Sequence, residues 1–243
     1  MVDIHCHILP RFDDGSSSLD ESLAMARMAV QSGVTDIVAT PHFPGQESSL
    51  RQIGKLLDRY EELSQAIARE GIPLTLHPGA EILCMADTVD LAARKLLPTI
   101  GDTPYFLTEF FFDEHYSFMD EMLQSLAKAG YIPVVAHPER YDAIQREPLI
   151  LDRWFRRGYV LQLNKGSLLG AFGSRVRRTA HAIVDAGLAH VIASDAHSAS
   201  HRTPHMGPLT DWLEHHLEPG YARILTEENP RRLIRGETMV PVE

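Results

Sequence analysis

The chain repeats one unit. A stretch with apolar residues at helical spacing stops at a glycine, and within a few residues a short, often β-branched apolar run begins. Helix is predicted over residues 19–32, 48–70, 116–129 and 174–186, stopping at Gly33, Gly71, Gly130 and Gly187. Glycine just past a helix end is the usual left-handed stop because it lacks a Cβ. The strand candidates are VDIHCHI (2–8), TDIVATPH (35–42), IPLTLHPGAEI (72–82), PYFLTEFFF (104–112), YIPVVAHPE (131–139), YVLQLNKG (159–166) and AHVIASDAH (189–197). Strands that alternate with helices build parallel sheets, and seven units suit a barrel better than an open sheet. Residues 83–103 break the rhythm and are read as a short helix and a loop. No Pro/Gly/Ser-rich linker or low-complexity tract interrupts the chain, so residues 1–243 are read as one domain. Barrels of about 200–250 residues are commonly single domains.

Six of the seven runs end in an imidazole or a carboxylate. The first ends in His5 and His7, with Asp14 in the loop beyond; the second in His42; the third in Glu81; the fourth in Glu109; the fifth in His137; the seventh in Asp195 and His197. In a parallel barrel these ends meet on one face. Residues i and i+2 of a strand point the same way, so His5 and His7 are expected to face one side and Cys6 the other. The nine side chains exceed what one metal needs, and mixed N/O donors without thiolate suit two or three ions of manganese, iron or zinc. Glu81 could bridge a pair. Burying so many such groups together without metal would be costly. The remaining histidines, among them the pair at 215–216 in an expected surface helix, are read as ordinary structural or surface residues.

Other chemistries find less support. A net charge of −10 argues against a nucleic-acid binder. Two cysteines make no disulfide framework. No apolar run of about 18 residues is present and no signal peptide is visible, so the expected compartment is the cytoplasm without membrane insertion. A cysteine phosphatase needs arginine six positions after the nucleophile; those positions hold Phe12 after Cys6 and Asp90 after Cys84. Both cysteines are read as buried small hydrophobes. Neither a G-x-S-x-G elbow nor a Walker loop occurs. Arg140, in HPERY, and Arg202, shortly after His197, are the arginines placed to hold a phosphate. The pairs in RRGYV and RRTAH are read as helix-face or helix-end charges.

In their order, HxH, DDG, TPH, GAE, a strand-end Glu, AHPERY and SDAH resemble the polymerase-and-histidinol-phosphatase (PHP) superfamily. More narrowly, MVDIHCHILPRFDDGS, VATPHF, AHPERY, ASDAHS and EENPRRLIRGE resemble the bacterial protein-tyrosine phosphatases of capsule and exopolysaccharide operons, over residues 1 to about 240. The resemblance implies a distorted seven-stranded (β/α)7 TIM-like barrel of the PHP fold. It also implies a trinuclear centre, usually of manganese. The activity it implies is hydrolysis of phosphotyrosine on a partner tyrosine autokinase by metal-activated hydroxide, and a membrane-anchored kinase would bring the acidic phosphatase beside the membrane. One metal would take His5, His7, Glu81 and Asp195. A second would share Glu81 and add Glu109 and His137; a third would take Asp14, His42 and His197. Arg140 and Arg202 match the phosphate-binding arginines. The chain departs from its relatives near the rim: Arg11-Phe12 precede Asp13, three serines follow DDG, and Phe43 stands where a second histidine is common.

Three rivals share parts of this pattern. A histidinol-phosphate phosphatase would use the same site with a small substrate. An amidohydrolase also begins with HxH but commonly bridges its metals with a modified lysine, where this chain has Glu81 and Glu109. A non-catalytic PHP domain would be expected to have lost ligands, and all nine positions are filled. A homo-oligomer is compatible with the sequence.

Overall fold

The computed structural model describes residues 1–240, so the last three residues of the proposed domain lie outside the described ones. The seven runs appear as nine strands: β1 (Val2–Cys6), β2 (Asp36–Ala39), β3 (His42–Pro44), β4 (Thr75–Pro78), β5 (Glu81–Leu83), β6 (Tyr105–Glu109), β7 (Ile132–Ala136), β8 (Val160–Asn164) and β9 (Val191–Ala193). Two runs are cut in two. The second breaks at Thr40-Pro41, where proline has no N–H for a ladder. The third breaks at Gly79-Ala80. A Cβ on Gly79 would lie 2.8 Å from Val38 Cγ1, so only glycine lets the strands approach this closely. The two breaks lie side by side, because β2 pairs with β4 and β3 with β5.

The strands form two parallel sheets, ordered β1-β2-β4 and β3-β5-β6-β7-β8-β9. This corrects the expectation of a seven-stranded barrel: among the described residues neither sheet closes. Where β1 would meet β9, pairing shrinks to one bridge between Cys6 and Ala196. Asp195 N donates to His5 O and His7 N donates to Ala196 O, each at 2.8 Å. On its other side, β1 slips register against β2 between Asp3 and Cys6. In addition, the Asp3 carboxylate takes the Ser194 N–H at 3.0 Å, in place of a strand carbonyl.

The long helices follow the periodicity. They span Leu19–Gln31, Ile53–Arg69, Tyr116–Lys128 and Ser174–Asp185; the second is preceded by a tighter turn at Glu47–Gln52. Ser18 caps the first, accepting the Glu21 N–H at 3.1 Å. The glycines beyond all four helices have φ between +61° and +94°. A short helix, Thr88–Ala93, occupies the less regular stretch, and His215 and His216 end the helix Gly207–His216. Strand residues such as Val2, Ile4, Leu107, Val134, Val160 and Val191 form one buried cluster. The apolar faces of the helices pack into a larger one, which also takes Cys6 and Phe43. No helix among the described residues is long and apolar enough to cross a membrane.

Candidate metal centre

All nine candidate side chains gather at one end of the sheets: seven lie at or past the C-terminal ends of strands, and His42 and Glu81 open the short strands that follow the two breaks. His5 and His7 come from β1 and the residue just beyond it. The following loop folds back through Ser16 N to His7 O at 3.0 Å, which returns Asp13 and Asp14 to the strand end. Gly15 makes this fold possible, since a Cβ there would lie 2.2 Å from His7 O. His42 starts β3, Glu81 starts β5 and Glu109 ends β6. His137 follows β7 and Asp195 lies just past β9. Both have positive φ, +35° and +49°, as does Arg202 at +49°. Non-glycine residues seldom adopt that conformation, and such strain clusters where function needs a side chain aimed.

The donor atoms converge. His5 Nε2 lies 3.2 Å from both His7 Nε2 and Glu81 Oε1. Asp195 Oδ1 is 3.5 Å from each of those imidazole nitrogens. His137 Nε2 is 2.9 Å from Glu81 Oε1 and 3.7 Å from Glu109 Oε1. His42 Nδ1 is 2.9 Å from Glu81 Oε2 and 3.3 Å from Glu109 Oε2. Asp14 Oδ1 lies 3.6 Å from His42 Nε2 and 3.7 Å from His197 Nε2. Three sets have all their ligand atoms within 4.8 Å of one another: His7, Asp14, His42 and His197; His5, His7 and Glu81; His42, Glu81 and Glu109. His7 and His42 each belong to two sets, an overlap that the one-metal-per-set allocation lacks.

The residues fit a cation because protons on the far side of the rings turn lone pairs inward. His7 Nδ1 lies 2.7 Å from the Asp13 carboxylate, which can only accept, so that nitrogen carries the proton. On the His5 side, the Asp195 carboxylate accepts from Asn164 Nδ2. Asn164 Oδ1 accepts from Gln162 Nε2 at 2.9 Å, and Gln162 Oε1 accepts from His5 Nδ1 at 2.8 Å. Both rings therefore present bare Nε2 atoms to each other and to two carboxylates. Four acceptors this close repel unless a cation lies among them. The buried His137 Nδ1 and His197 Nε2 also lack hydrogen-bond partners.

Without an ion, protons would have to supply the missing positive charge, and the acidities follow. Burial works against a charged His7, yet the Asp13, Asp195 and Glu81 carboxylates outweigh it and hold the imidazole well above its ordinary pKa. His42 is likewise held up at about 10 by Glu109 and Glu81 against the effect of burial. Burial and then the neighbouring His7 push His197 down to about 3. Glu81 and Asp195 stay well below the carboxylate range, because His5 and its neighbours overcome burial. Metal binding would displace the protons from the raised imidazoles.

Asp195 joins the cluster to the arginines. Its Oδ1 faces the imidazoles, while its Oδ2 accepts from Arg202 and lies 3.4 Å from Arg140 Nη1. The Arg140 guanidinium sits between two rings, 4.3 Å from Phe112 and 4.5 Å from Phe172. Beside the donors opens a cleft of about 300 Å³, lined by His42, Pro44, Leu83, Glu109 and the aromatic run Phe110-Phe111-Phe112.

The cysteines stay out of this site. Both are free and buried, and burial pushes their thiols up. His77 pairs with Asp36 at 2.9 Å, His181 bonds the Leu168 carbonyl and His190 accepts the Leu161 N–H. Sequence reasoning missed Gln162, Asn164, Asp13 and Phe172. The first two lie in the one apolar run given no site residue. Their signal was present: in YVLQLNKG, as in HxH, two polar residues sit two apart in an apolar strand.

The matches to known proteins agree with this geometry. The family model described as capsular polysaccharide synthesis, CpsB/CapC, matches residues 1–235. The tyrosine-protein phosphatase YwqE of Bacillus subtilis is 37% identical over 98% of this chain and 93% of its own. The tyrosine-protein phosphatase CpsB of Streptococcus pneumoniae is 30% identical over 98% and 99%. A crystal structure from work on these two proteins, described there as metal-dependent tyrosine phosphatases, superposes with a TM-score of 0.88. The identity is 34%, with 100% of both chains covered.

Proposed function

The chain belongs to the CpsB/CapC family of capsular polysaccharide synthesis, and on that premise we propose that it is a metal-dependent protein-tyrosine phosphatase. The observation that carries the reading is the aromatic cleft opening beside His42 and Glu109. Its walls are apolar and suited to an aryl ring, with Phe111 and Phe112 partly exposed at 52% and 42%. A phosphate on a ring held there would lie beside His42 and Glu109, and Phe112, which lines the same cleft, stacks on Arg140.

In this reading the whole chain acts as one unit. His5, His7, Asp14, His42, Glu81, Glu109, His137, Asp195 and His197 hold two to three divalent ions. Manganese is the proposed metal, with iron or zinc compatible with the same donors. When bound, such ions supply Lewis-acid activation of water and neutralise phosphoryl charge. Arg140 and Arg202 bind the non-bridging phosphoryl oxygens through planar donors that a single ammonium cannot imitate. The stacked Phe112 and Phe172 hold the Arg140 fork in place. The leaving phenolate, with an ordinary pKa of about 10, needs less help from a general acid than an alkyl alcohol would. The partner proposed is a phosphotyrosine-bearing bacterial tyrosine autokinase that regulates capsule or exopolysaccharide synthesis, met at the cytoplasmic face of the membrane.

The test is phosphate release by metal-stripped protein, with and without added manganese, from a phosphotyrosine peptide and from histidinol phosphate. Manganese-dependent release from the peptide is the expected result. A preference for histidinol phosphate would overturn the protein substrate while keeping the metal centre. No release from either ester, with metal bound, would overturn the phosphatase reading.

A further inference from the structure

We infer that the beginning of the helix Ser174–Asp185 is a docking surface for an acidic segment of the substrate protein, next to its phosphotyrosine. The inference rests on the phosphatase reading above and adds a second point of recognition. The chain carries 33 acidic and 23 basic residues, yet residues 153–184 contain seven arginines and lysines and no Asp or Glu. In RRGYV the arginines are used within the protein: Arg156 pairs with Asp152 and Arg157 with Asp120. In the later helix, Arg175, Arg177 and Arg178 are exposed, and no carboxylate among the described residues pairs with them. Helix beginnings favour acidic residues, so three arginines in the first turns work against the helix itself.

The topology puts these arginines beside the proposed site. A helix that follows a parallel strand begins at the strand's C-terminal end, the same face that carries the nine donors. The chain leaves β8, makes the turn Lys165–Leu168 and passes Phe172 before the helix starts. The Phe172 ring lies 4.5 Å from the Arg140 guanidinium and 5.6 Å from that of Arg202. The helix also packs against Pro138–Arg140. The surface is concave: a cleft of about 770 Å³ is lined by Leu169, Gly170, Arg177, Arg178 and His181, with Asp185 the one acidic residue in its wall. A concave surface accepts a polypeptide segment better than it accepts a flat lipid surface. Arginine forks match carboxylates in both geometry and charge, and exposed charges of this kind act through association and are screened by salt.

The experiment uses the full, manganese-loaded chain and three substrates. Two are phosphotyrosine peptides of equal length, one flanked by Asp and Glu and the other by Ser and Asn. The third is a small aryl phosphate. The wild type should favour the acidic peptide by about 5- to 20-fold in kcat/KM at low salt, mostly through KM. Replacing Arg175→Ala, Arg177→Ala and Arg178→Ala together should reduce that preference to within about twofold, as should roughly 0.5 M salt, while aryl phosphate turnover stays unchanged. Circular dichroism matching the wild type shows that the variant is folded. Equal use of the two peptides by the wild type, or a preference that survives the triple substitution, overturns the inference. If none of the three substrates is hydrolysed, the phosphatase reading has failed, and fluorescence anisotropy of the labelled acidic peptide then decides the docking. Arginine-dependent binding supports it and its absence overturns it. Arginine-dependent sedimentation with phosphatidylglycerol vesicles, without any peptide preference, also overturns it and assigns the surface to a membrane.

Discussion

His5 Nδ1 lies 2.8 Å from Gln162 Oε1, although the two residues are 157 positions apart in the chain. Because Asn164 can offer only its amide hydrogens to Asp195, the relay from Asp195 through Asn164 and Gln162 has one direction. It fixes the proton on His5 Nδ1 and leaves Nε2 bare for a metal. Gln162→Leu should weaken manganese binding by about 10- to 100-fold, the usual worth of an outer hydrogen-bond partner. Asn164→Leu should do nearly the same, and the double substitution should cost less than the two effects combined, because the relay breaks once. Titration calorimetry on metal-stripped protein reads this directly; unchanged affinity in Gln162→Leu would remove the relay's role.

His137 combines a proposed ligand with a strained backbone. Its φ of +35° belongs to the left-handed region, which costs a non-glycine residue about 1–2 kcal/mol. His137→Ala should lower phosphatase turnover by more than roughly 100-fold, beyond the cost of losing an outer partner, while the protein stays folded. His137→Gly should be equally inactive yet more stable in its metal-free form than His137→Ala, by about 1 kcal/mol. Wild-type turnover in either folded, metal-loaded variant would remove His137 from the site.

Phe172 holds Arg140 from one side and Phe112 from the other. A stacked guanidinium gains about 0.5–2 kcal/mol from each such contact. Phe172→Ala should raise KM for an aryl phosphate about 2- to 30-fold, with a smaller effect on manganese affinity. Arg140→Lys should not restore normal binding, since an ammonium cannot span two phosphoryl oxygens. Steady-state kinetics on the two variants separates these outcomes.

His190 is buried against Phe155 and accepts the Leu161 N–H on Nδ1 at 3.1 Å. Burial pushes its pKa from 6.5 down to about 4, so folding favours the neutral ring. The stability this provides is complete above about pH 6.5 and is lost as pH falls toward 4, up to about 3 kcal/mol in all. Denaturant unfolding of metal-stripped protein should show this loss. His190→Gln should show a shallower fall across the same window; an equal slope in both proteins would refute the assignment.

Cys6 and Cys84 should not react with alkylating reagents in the folded protein, and such reagents should leave turnover unchanged. Both thiols are buried, and burial disfavours their reactive thiolate forms. Rapid inactivation that tracks modification of Cys6 would reopen a thiol mechanism.

The sequence by itself determined the elements and named the nine candidate side chains. Apolar periodicity and terminal glycines are local properties, so the four long helices and seven runs could be read without a partner in view. The strand-end imidazoles and carboxylates were equally legible, because a parallel α/β arrangement sends every such end to one face. What the tertiary structure decided depends on the approach of distant backbones. Pro41 and the crowded Gly79 divide two runs, and pairing between β1 and the β9 end shrinks to one bridge, so the sheets stay unclosed where seven continuous strands had been expected. The outer partners were decided there as well. Gln162, Asn164, Asp13 and Phe172 acquire their roles only from what stands opposite them, since a hydrogen bond or ring stacking across the chain leaves no periodic trace in either segment alone.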